Sequence, residues 1–383
     1  MATFAKRTFD AAAYSASRPS YPRALLDHVV AFLDRAPPST TTSTPPTTLV
    51  DLGCGPGLST FDWLSLPSSS SSSSTSTSTT TSPRFERIIG IDPSPGMVAA
   101  ARTILADRDP SPSADICFEV ARGDKLDGVV DDSTVDLVIA GQAAHWFDAP
   151  ATYAELARVL KPGGAFAFWG YGEFFFPGKP DLSALIPRYS GGTLGPYWEQ
   201  PGRSIVENLL AAFPLPAASP SSPIPSSTAS QFDPASLTRT FFLRPDTEQG
   251  ALSPLLEPLA APLGPPSSSS SLSTTWLAPS PSSSSASSPS PSLPHGLARL
   301  EVHRTLLLTR HWSVAELEGY LRTWSAAHAY DEAHPSEGEG RGEGDVVSGF
   351  VRQLRERGLG ELSEGETVEV AWEMGLVMGR KRA

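Results

Sequence analysis

The first 175 residues alternate between short apolar runs and longer stretches in which apolar side chains recur every three or four positions. Short runs of this kind favour buried strands, and the longer stretches favour amphipathic helices. Regular strand–helix alternation predicts a parallel sheet with helices on both faces, whose ligands lie at the carboxyl ends of the strands. The predicted strands are residues 48–52 (TLVDL), 87–91 (RIIGI), 116–120 (ICFEV), 135–140 (VDLVIA) and 165–170 (AFAFWG).

Helices are predicted between these strands from their apolar stripes and their end signals. One begins at Pro22, a residue suited to a first helical position. Another begins at Ser94 and Pro95, where the serine hydroxyl can cap the first turn. A third covers residues 153–160 and ends at Lys-Pro-Gly-Gly, residues 161–164.

The pattern of the second half of the chain predicts one further helix, followed by strands near the C-terminus that complete the sheet. Residues 313–330 form the helix, with Ser313 and Glu316 as a capping box. Residues 366–381 supply two closing strands. The fold class predicted is therefore α/β, a doubly wound, mostly parallel seven-stranded sheet with an antiparallel end strand and a C-terminal cap region.

Three Pro/Ser-rich segments interrupt this pattern. They carry too little apolar surface to offset the entropy of ordering, so we expect disordered insertions at 67–83, 214–236 and 262–295. The remaining chain divides into a core at 1–175, a substrate cap at 176–330, and a C-terminal helix with the closing strands at 331–383.

Composition and charge narrow the class of function. The chain of 383 residues has a formal net charge of −12, which argues against nucleic-acid binding because that requires clustered Lys and Arg. No apolar stretch approaches the roughly 18 residues of a membrane span, and MATFAKRTFD is not a signal peptide. The two cysteines, Cys54 and Cys117, suit a reduced cytoplasmic setting. We expect a monomer acting on a small molecule, with no membrane partner and no metal.

The stretch LVDLGCGPGLST, residues 49–60, carries three glycines directly after a predicted strand. A dinucleotide fingerprint would need glycine where Leu58 stands, and a phosphate loop would need a Gly-Lys-Ser/Thr end that is absent here. The pattern resembles the first motif of class I S-adenosylmethionine-dependent methyltransferases, and the glycines are Gly53, Gly55 and Gly57.

That resemblance implies a role for three acids. Asp51 would receive the ammonium group of S-adenosylmethionine, and Asp92 at the end of the second strand would bind both ribose hydroxyls. Asp92 lies 41 positions after Asp51, a longer gap than the usual one of about 20, and the serine-rich insertion accounts for the excess. Asp124 is placed to accept a hydrogen bond from the adenine amino group. Asp92 as a helix cap and Asp124 as a solvated turn are the structural alternatives.

Further segments resemble a fungal branch of the type 11 methyltransferases. This branch includes trans-aconitate methyltransferases and related enzymes that methylate small carboxylic acids. The resemblance covers about the first 175 residues and two later islands. The segments are YSASRPSYP (14–22), GQAAHWFD (141–148), LKPGGAFAFWGY (160–171), GPYWEQPGR (195–203) and YLRTWSAAHAY (320–330).

These segments supply the remaining candidate site residues. Arg18 and Tyr21 would lie in an N-terminal segment folded over the cofactor, and Gln142 would bond the cofactor backbone. Arg18 suits a carboxylate of the cofactor or of an acidic substrate, although a surface arginine at a turn is the alternative. The acceptor site would be lined by Trp146, Trp169, Trp198 and Arg203.

His145 is the one candidate catalytic residue, with a packed structural histidine as its alternative. A carboxylate acceptor is already ionised at neutral pH and needs no base, whereas a hydroxyl acceptor would need one, and His145 would then supply it. The resemblance implies methyl transfer to a carboxylate of an aconitate-like or related organic acid, and this is the function predicted. A hydroxyl-directed methyltransferase and a catalytically silent cofactor-binding protein remain the alternatives.

Overall fold

The computed structural model of the chain describes twelve stretches of residues. They are 11–35, 47–66, 83–108, 114–217, 222–245, 257–260, 263, 266–270, 273–277, 297–335, 344–360 and 365–383. The insertion predicted at 67–83, apart from Pro83, and most of the one predicted at 262–295 lie outside the described residues.

All strands of the described residues belong to one sheet. They are β1 (Thr48–Leu52), β2 (Arg87–Asp92), β3 (Asp115–Val120), β4 (Val135–Gly141), β5 (Leu160–Phe175), β6 (Thr238–Phe242), β7 (Ser268–Ser269), β8 (Ser273–Leu277), β9 (Arg299–His303), β10 (Leu308–Trp312) and β11 (Val368–Arg380).

The helices of the described residues pack against both faces of this sheet. They are α1 (Ala11–Ser17), α2 (Arg23–Asp34), α3 (Leu58–Asp62), α4 (Pro95–Ala106), α5 (Ala149–Val159), α6 (Pro180–Ser183), α7 (Leu185–Pro187), α8 (Gly202–Glu207), α9 (Ser226–Ala229), α10 (Glu257–Ala260), α11 (Val314–Arg322), α12 (Ser325–Ala333) and α13 (Val346–Leu354).

The strand order confirms a mixed α/β fold with a mostly parallel sheet. The order is β3-β2-β1-β4-β5-β11-β6-β9-β8-β7, and β10 pairs with β11 outside this row. The expected count of seven strands fits only the row from β3 to β6, because β7, β8 and β9 extend the sheet beyond β6. The antiparallel strand, β11, lies between β5 and β6 and not at an edge.

Residues 366–381 form one long strand, so the prediction of two closing strands is wrong. The pairing shifts between Trp372 and Met374, which marks an irregularity in a continuous strand. Besides β5, strand β11 has two other partners. It pairs with β10 before this point and with β6 after it.

Residues 313–330 form two helices, so the prediction of one helix is also wrong. The capping box of Ser313 and Glu316 opens α11 as expected. Helix α11 ends at Thr323, whose hydroxyl donates to the Tyr320 carbonyl at 2.6 Å, and Trp324 is extended before α12 begins. The apolar periodicity continues across this break because Trp324 packs into the same core as α11.

The segment predicted as a disordered insertion at 214–236 is largely packed. Leu215, Ile224, Ala229 and Phe232 are buried in the core on one face of the sheet, and α9 lies within the segment. The few apolar residues among its prolines and serines are sufficient because they are inserted into an existing core. The sheet also takes β6 to β10 from the predicted cap at 176–330, so the cap and the core share one sheet.

The parallel strands β1, β2 and β4 end at one edge of the sheet, and α1 and α11 lie over that edge. Helix α1 contacts α11 and the first part of α4, which follows β2. Arg310 on β10 bonds the Ser20 backbone and hydroxyl, which fixes the chain between α1 and α2. This arrangement closes the edge where ligands of such sheets bind.

Candidate active site

The three glycines after β1 all take left-handed backbone conformations. Gly53, Gly55 and Gly57 have φ values of 71°, 55° and 88°. A side chain at Gly53 would place its Cβ 2.5 Å from the Cβ of Ala143, which follows β4, whereas no atom of the described residues lies within 4 Å of the same position at Gly55. The first glycine is therefore required by packing, and the second leaves the backbone open to a ligand.

Asp51 lies at the end of β1 and is fully buried. Its Oδ2 accepts hydrogen bonds from the Ser59 hydroxyl at 2.5 Å and the Thr60 hydroxyl at 2.7 Å, both in the first turn of α3. Its Oδ1 is buried and has no hydrogen-bond partner among the described residues. Burial raises the pKa of Asp51 to about 6. A buried carboxylate with one unsatisfied oxygen is suited to a cation such as the ammonium group of S-adenosylmethionine.

Asp92 ends β2 and is held by two backbone groups. Its Oδ2 accepts from the Gly55 N–H at 3.0 Å, and its Oδ1 accepts from the Ser94 N–H at 2.8 Å. Burial raises its pKa. The cap of α4 is Ser94 and not Asp92. Backbone N–H groups nevertheless satisfy Asp92, and each of its carboxylate oxygens retains a lone pair that can accept from a ribose hydroxyl.

Asp124, which was predicted to accept a hydrogen bond from the adenine amino group, lies in the turn after β3 and is paired with Arg122. The guanidinium contacts both carboxylate oxygens, at 2.8 and 2.6 Å. The bond to Arg122 lowers the pKa of Asp124. Since both oxygens are occupied by a neighbouring side chain, the structure gives the adenine contact no direct support, and it stays a prediction.

A cavity opens beside this edge between α1, α8, α11 and the ends of β4 and β5. Six of its lining residues are Tyr or Trp, and the lining also includes two arginines and two glutamates. The lining residues are Tyr14, Arg18, Gln142, His145, Trp146, Tyr171, Gly172, Glu173, Trp198, Glu199, Arg203, Val206, Tyr320, Trp324 and Ser325. The predicted site residues Arg18, Gln142, His145, Trp146, Trp198 and Arg203 are thus brought together.

Arg18 follows α1 and points its guanidinium at this cavity without a carboxylate partner among the described residues. One nitrogen donates to the Tyr171 hydroxyl at 3.0 Å and the other to the Thr323 carbonyl at 3.3 Å. The rings of Tyr14 and Tyr320 lie 4.9 and 5.2 Å from its central carbon. Its Nε is buried and has no hydrogen-bond partner in the described part of the chain. The turn-and-surface alternative for Arg18 is excluded by this burial.

Tyr21 does not line the cavity but lies between the cavity and the glycine turn. Its ring packs edge-on against Trp169 at 5.3 Å, and it also lies against Gly141 at the end of β4. Burial first, and then the neighbouring Tyr171, Tyr14 and Asp51, raise the pKa of its hydroxyl. Its position beside Asp51 is compatible with the predicted cofactor role.

His145 is buried in a short 3₁₀ helix, Ala144–Trp146, that follows β4. Burial and the positive charge of Arg18 lower its pKa to about 3. Its Nδ1 has no hydrogen-bond partner among the described residues. The imidazole is therefore neutral at physiological pH, but its basicity is far below the value near 7 that suits a general base.

Gln142 uses both ends of its amide on the backbone of one residue. Its Nε2 donates to the Tyr171 carbonyl at 3.1 Å, and its Oε1 accepts from the Tyr171 N–H at 2.8 Å. The side chain therefore continues the pairing of β4 with β5 beyond the last residue of β4. This structural role leaves the predicted bond to the cofactor backbone without support from the side-chain amide.

Arg203, which was predicted to line the acceptor site, is already paired with protein carboxylates. Its guanidinium bonds Glu173, lies 3.4 Å from Glu207, and stacks over the Trp198 ring at 4.3 Å. Trp198 in turn donates its indole N–H to the Ser190 carbonyl at 2.8 Å. Arg203 and Trp198 thus form a fixed part of the cavity wall. To bind a substrate carboxylate, Arg203 would have to break its contacts with Glu173 or Glu207.

The two remaining tryptophans have different positions. Trp146 lines the cavity and packs against Gly202 at the start of α8. Trp169 is 1% exposed and lies in the core beneath Tyr21, not at the cavity wall. Its predicted contact with the acceptor has no support from this position, because Tyr21 covers the ring.

Several cavity residues were not predicted. Tyr171, Glu173, Tyr320 and Trp324 reach the cavity from β5, α11 and the link to α12. The signal for Glu173 was available, since it is a single acid within the aromatic run YGEFFF at 171–176. A charge in such a run is costly to bury unless it has a partner, which is what Arg203 provides.

The described residues lack two kinds of feature. No group of three or more His, Cys, Asp or Glu side chains there could hold a metal ion. Within the same residues no helix has both the length and the apolar character needed to span a membrane.

Residues 50–168 match the family Methyltransf_11, described as a methyltransferase domain. The chain is 29% identical over 208 residues to a Saccharomyces cerevisiae protein named as a probable S-adenosylmethionine-dependent methyltransferase, CRG1, a match covering 54% of this chain and 61% of the relative. It is 33% identical over 147 residues to methyltransferase cfoB of Aspergillus candidus, covering 34% of this chain and 44% of the relative. The matches therefore span less than two thirds of these relatives.

A solved structure from Anaeromyxobacter dehalogenans, named as a candidate type II methyltransferase, is similar in fold. It superposes with a TM-score of 0.50 at 21% identity, covering 95% of this chain and 97% of that one. At the level of the matched domain, the predictions of a S-adenosylmethionine-dependent methyltransferase and of S-adenosylmethionine as its cofactor are confirmed. The residues of the glycine turn fit that cofactor, as the unpaired oxygen of Asp51 and the open backbone at Gly55 indicate.

Proposed function

We propose that this chain transfers a methyl group to a carboxylate oxygen of a small organic acid, the class to which the aconitate-like acids of the sequence resemblance belong. S-adenosylmethionine, when bound, supplies an electrophilic methyl group that a carboxylate accepts without losing a proton. Asp51, Asp92 and the glycine turn would hold the cofactor, and the aromatic cavity would hold the acid.

The observation that carries this proposal is the state of Arg18. A guanidinium that is closed into a cavity without a carboxylate partner among the described residues is a binding site for an anion. Burial and the charge of Arg18 lower the pKa of His145 in the cavity. Arg18 also offsets part of the rise that burial causes in the pKa of Tyr14 and Tyr21, which are in turn affected by Asp92 and Asp51. We assign Arg18 to the acceptor's carboxylate because it lines the cavity, and the effect of its substitution on the two KM values distinguishes this carboxylate from that of the cofactor.

His145 favours a carboxylate acceptor over a hydroxyl acceptor. A hydroxyl group must lose its proton during methylation, and the cavity would need a base of suitable strength for that. The pKa of His145 lies near 3 because the ring is buried beside Arg18, so the imidazole is a weak base there. A carboxylate needs only to be positioned and shielded from water.

The silent-binding alternative makes a different prediction about the cavity. A protein that only bound the cofactor would not need an anion site beside the methyl group. Arg18, Trp146 and Trp198 form a shaped and charged cavity instead. This supports an acceptor site, and turnover decides between the two.

The test is a methyl-transfer assay with labelled S-adenosylmethionine against acids, including trans-aconitate, and against phenols. Products that lose label in mild base are esters. Arg18→Lys should raise the KM for the acid about tenfold or more, because the lysine cannot reproduce a two-point contact, and should leave the KM for the cofactor within about twofold.

Arg23→Lys is the matched control, because Arg23 is an exposed arginine at the start of α2 that pairs with Asp27. It should change neither constant. A rise in the cofactor KM alone for Arg18→Lys would assign Arg18 to the cofactor. Label transfer to phenols alone would contradict the carboxylate proposal.

A further inference from the structure

Glu173 is a carboxylate held at the wall of the cavity by the protein itself. It lies near the end of β5, and its side chain is 17% exposed. Tyr171, which binds Arg18, is two residues earlier on the same strand, and both residues line the cavity where the pairing of β5 with β11 is irregular. The cavity therefore contains a cation and a carboxylate on one stretch of its wall.

One oxygen of Glu173 is fully engaged. Its Oε1 accepts hydrogen bonds from the Arg203 guanidinium and from the hydroxyl of Ser190, which is fully buried. Arg203 is in turn stacked on Trp198, whose indole is bound to the Ser190 carbonyl. These contacts fix the carboxylate in one orientation.

The other oxygen of Glu173, Oε2, makes no hydrogen bond to the described residues, while the residue lines the cavity. An ionised carboxylate oxygen can only accept hydrogen bonds. It therefore favours a hydroxyl or amino group of a ligand and repels a second carboxylate.

The two arginines of the cavity are not equivalent. The charge of Arg203 is offset by Glu173 and by Glu207, whose side chain is 45% exposed. Arg18 has only neutral partners among the described residues. Glu199, the other lining carboxylate, is exposed at the rim. One cation, and not two, is thus available to the anionic groups of a substrate.

We propose that Glu173 is a specificity-determining residue, which selects acids that carry one carboxylate and a hydroxyl or amino donor and rejects acids with two or more carboxylates. The inference rests on the proposed function and narrows it, because it separates this chain from aconitate-like acceptors. The donor group of the acid binds Glu173 Oε2, and its single carboxylate binds Arg18.

A matched set of ring acids tests this in the full chain, since the aromatic walls suit a planar ring. The set is benzoate, 3-(hydroxymethyl)benzoate and benzene-1,3-dicarboxylate. Affinities are measured by calorimetry in the presence of S-adenosylhomocysteine, and ester formation is measured in parallel. The wild-type protein should bind the hydroxymethyl acid about tenfold or more tightly than the dicarboxylate, because like charges at close range are strongly unfavourable.

Glu173→Gln should reduce that preference to within about threefold, mainly by improving the affinity for the dicarboxylate. Glu207→Gln is the matched control, because it removes a second carboxylate from Arg203 without altering the cavity wall, and it should retain the wild-type preference. Glu173→Asp keeps the charge and should retain the direction of the preference. Cofactor affinity within about twofold of wild type shows that each variant is folded.

The inference is overturned if the wild-type protein binds the dicarboxylate as well as the hydroxymethyl acid, if none of the three acids binds, or if Glu173→Gln leaves the preference unchanged. Equal ester formation from all three acids would contradict the inference while the proposed function stands. A binding preference without ester formation from any acid would contradict the proposed function while the role of Glu173 stands.

Discussion

The glycine-turn edge (Asp51 to Gly57, with Asp92) and the cavity beside it differ in how the chain builds them. The edge comes from two neighbouring strands and one helix start, and its polar groups bond mainly to backbone or to the next turn. The cavity takes residues from α1, β5, α8, α11 and the turn after β4. Local geometry therefore determines the candidate cofactor site, whereas long-range packing determines the proposed acceptor site.

The charges of the two regions show the same difference. At the edge, Asp51 retains an oxygen without a partner among the described residues, so its charge is available to a ligand. In the cavity, Arg203 is paired with protein carboxylates, while Arg18 bonds only neutral groups of the described chain. Identical residue types thus take opposite roles, and only the partners of each residue distinguish them.

The largest expected effect is at Asp51. Asp51→Asn should weaken S-adenosylmethionine binding about 100-fold or more, because a buried carboxylate that pairs with an ammonium group is replaced by a neutral amide. Calorimetric titration measures this. Asp132→Asn is the control, because its side chain is 75% exposed and pairs with Arg158 before β4 begins, at the end of the parallel strands opposite to the glycine turn. It should leave cofactor affinity within about threefold.

The pH dependence of the same calorimetric titration shows whether ionised Asp51 strengthens cofactor binding. Wild-type affinity should rise as pH increases through about 6, since only ionised Asp51 attracts the cation. Folding stability without cofactor should run the opposite way. The folded pKa is raised above 3.8, so the folded state holds the proton more tightly and stability falls as pH rises from about 4 to about 6. Affinity that is independent of pH between 5 and 7 would contradict the role of Asp51.

The second largest effect is expected at Gly53 and Gly55, where alanine substitutions should have different consequences for stability and cofactor affinity. Gly53→Ala should cost about 3 kcal/mol of stability, from the positive φ and from overlap with Ala143, whereas Gly55→Ala should cost about 1 kcal/mol. Thermal denaturation measures the difference. Gly55→Ala should instead lose cofactor affinity, since its added methyl group enters the open side of the turn. Equal stability losses with unchanged affinity for Gly55→Ala would show that no ligand lies against that glycine.

The smallest effect is expected at His145. His145→Ala should leave the rate with a carboxylate acceptor within about threefold, and the wild-type rate should not titrate with this residue between pH 5 and 8, because its pKa lies near 3. Steady-state kinetics over that range are the measurement. If turnover instead falls about 100-fold or more while cofactor affinity is unchanged, His145 acts as a base.

The order of the elements in the first half was predictable because each strand is a continuous apolar run. TLVDL corresponds to β1 residue for residue, and Ser94 caps α4 through the Met97 N–H. The errors arose where tertiary contacts override a local pattern. The helix predicted at 313–330 breaks at Thr323, and the segment 222–236 packs although its composition suggested disorder.

The candidate site was predicted unevenly for the same reason. Asp51 and the glycines follow from a motif whose spacing dictates their geometry, and Asp92 follows from its place at the end of the next predicted strand. Gln142 and Trp169 lie in matching segments, but the first bonds the Tyr171 backbone and the second is covered by Tyr21. Pairings between residues far apart in the chain leave no signal in a single sequence.

Periodicity and glycine conformation are local properties, so the class of fold, the edge of the sheet that carries the candidate cofactor site and the chemistry of the turn after β1 could be predicted from the sequence. Which arginine is available to an anion depends on contacts between distant parts of the chain, and the structure was needed to identify it. Charge neutralisation depends on what packs within a few ångströms, and Glu173 reaches Arg203 across 30 positions of the chain. The same packing leaves Arg18 without a carboxylate partner among the described residues. This is why the acceptor's carboxylate is proposed to bind at Arg18.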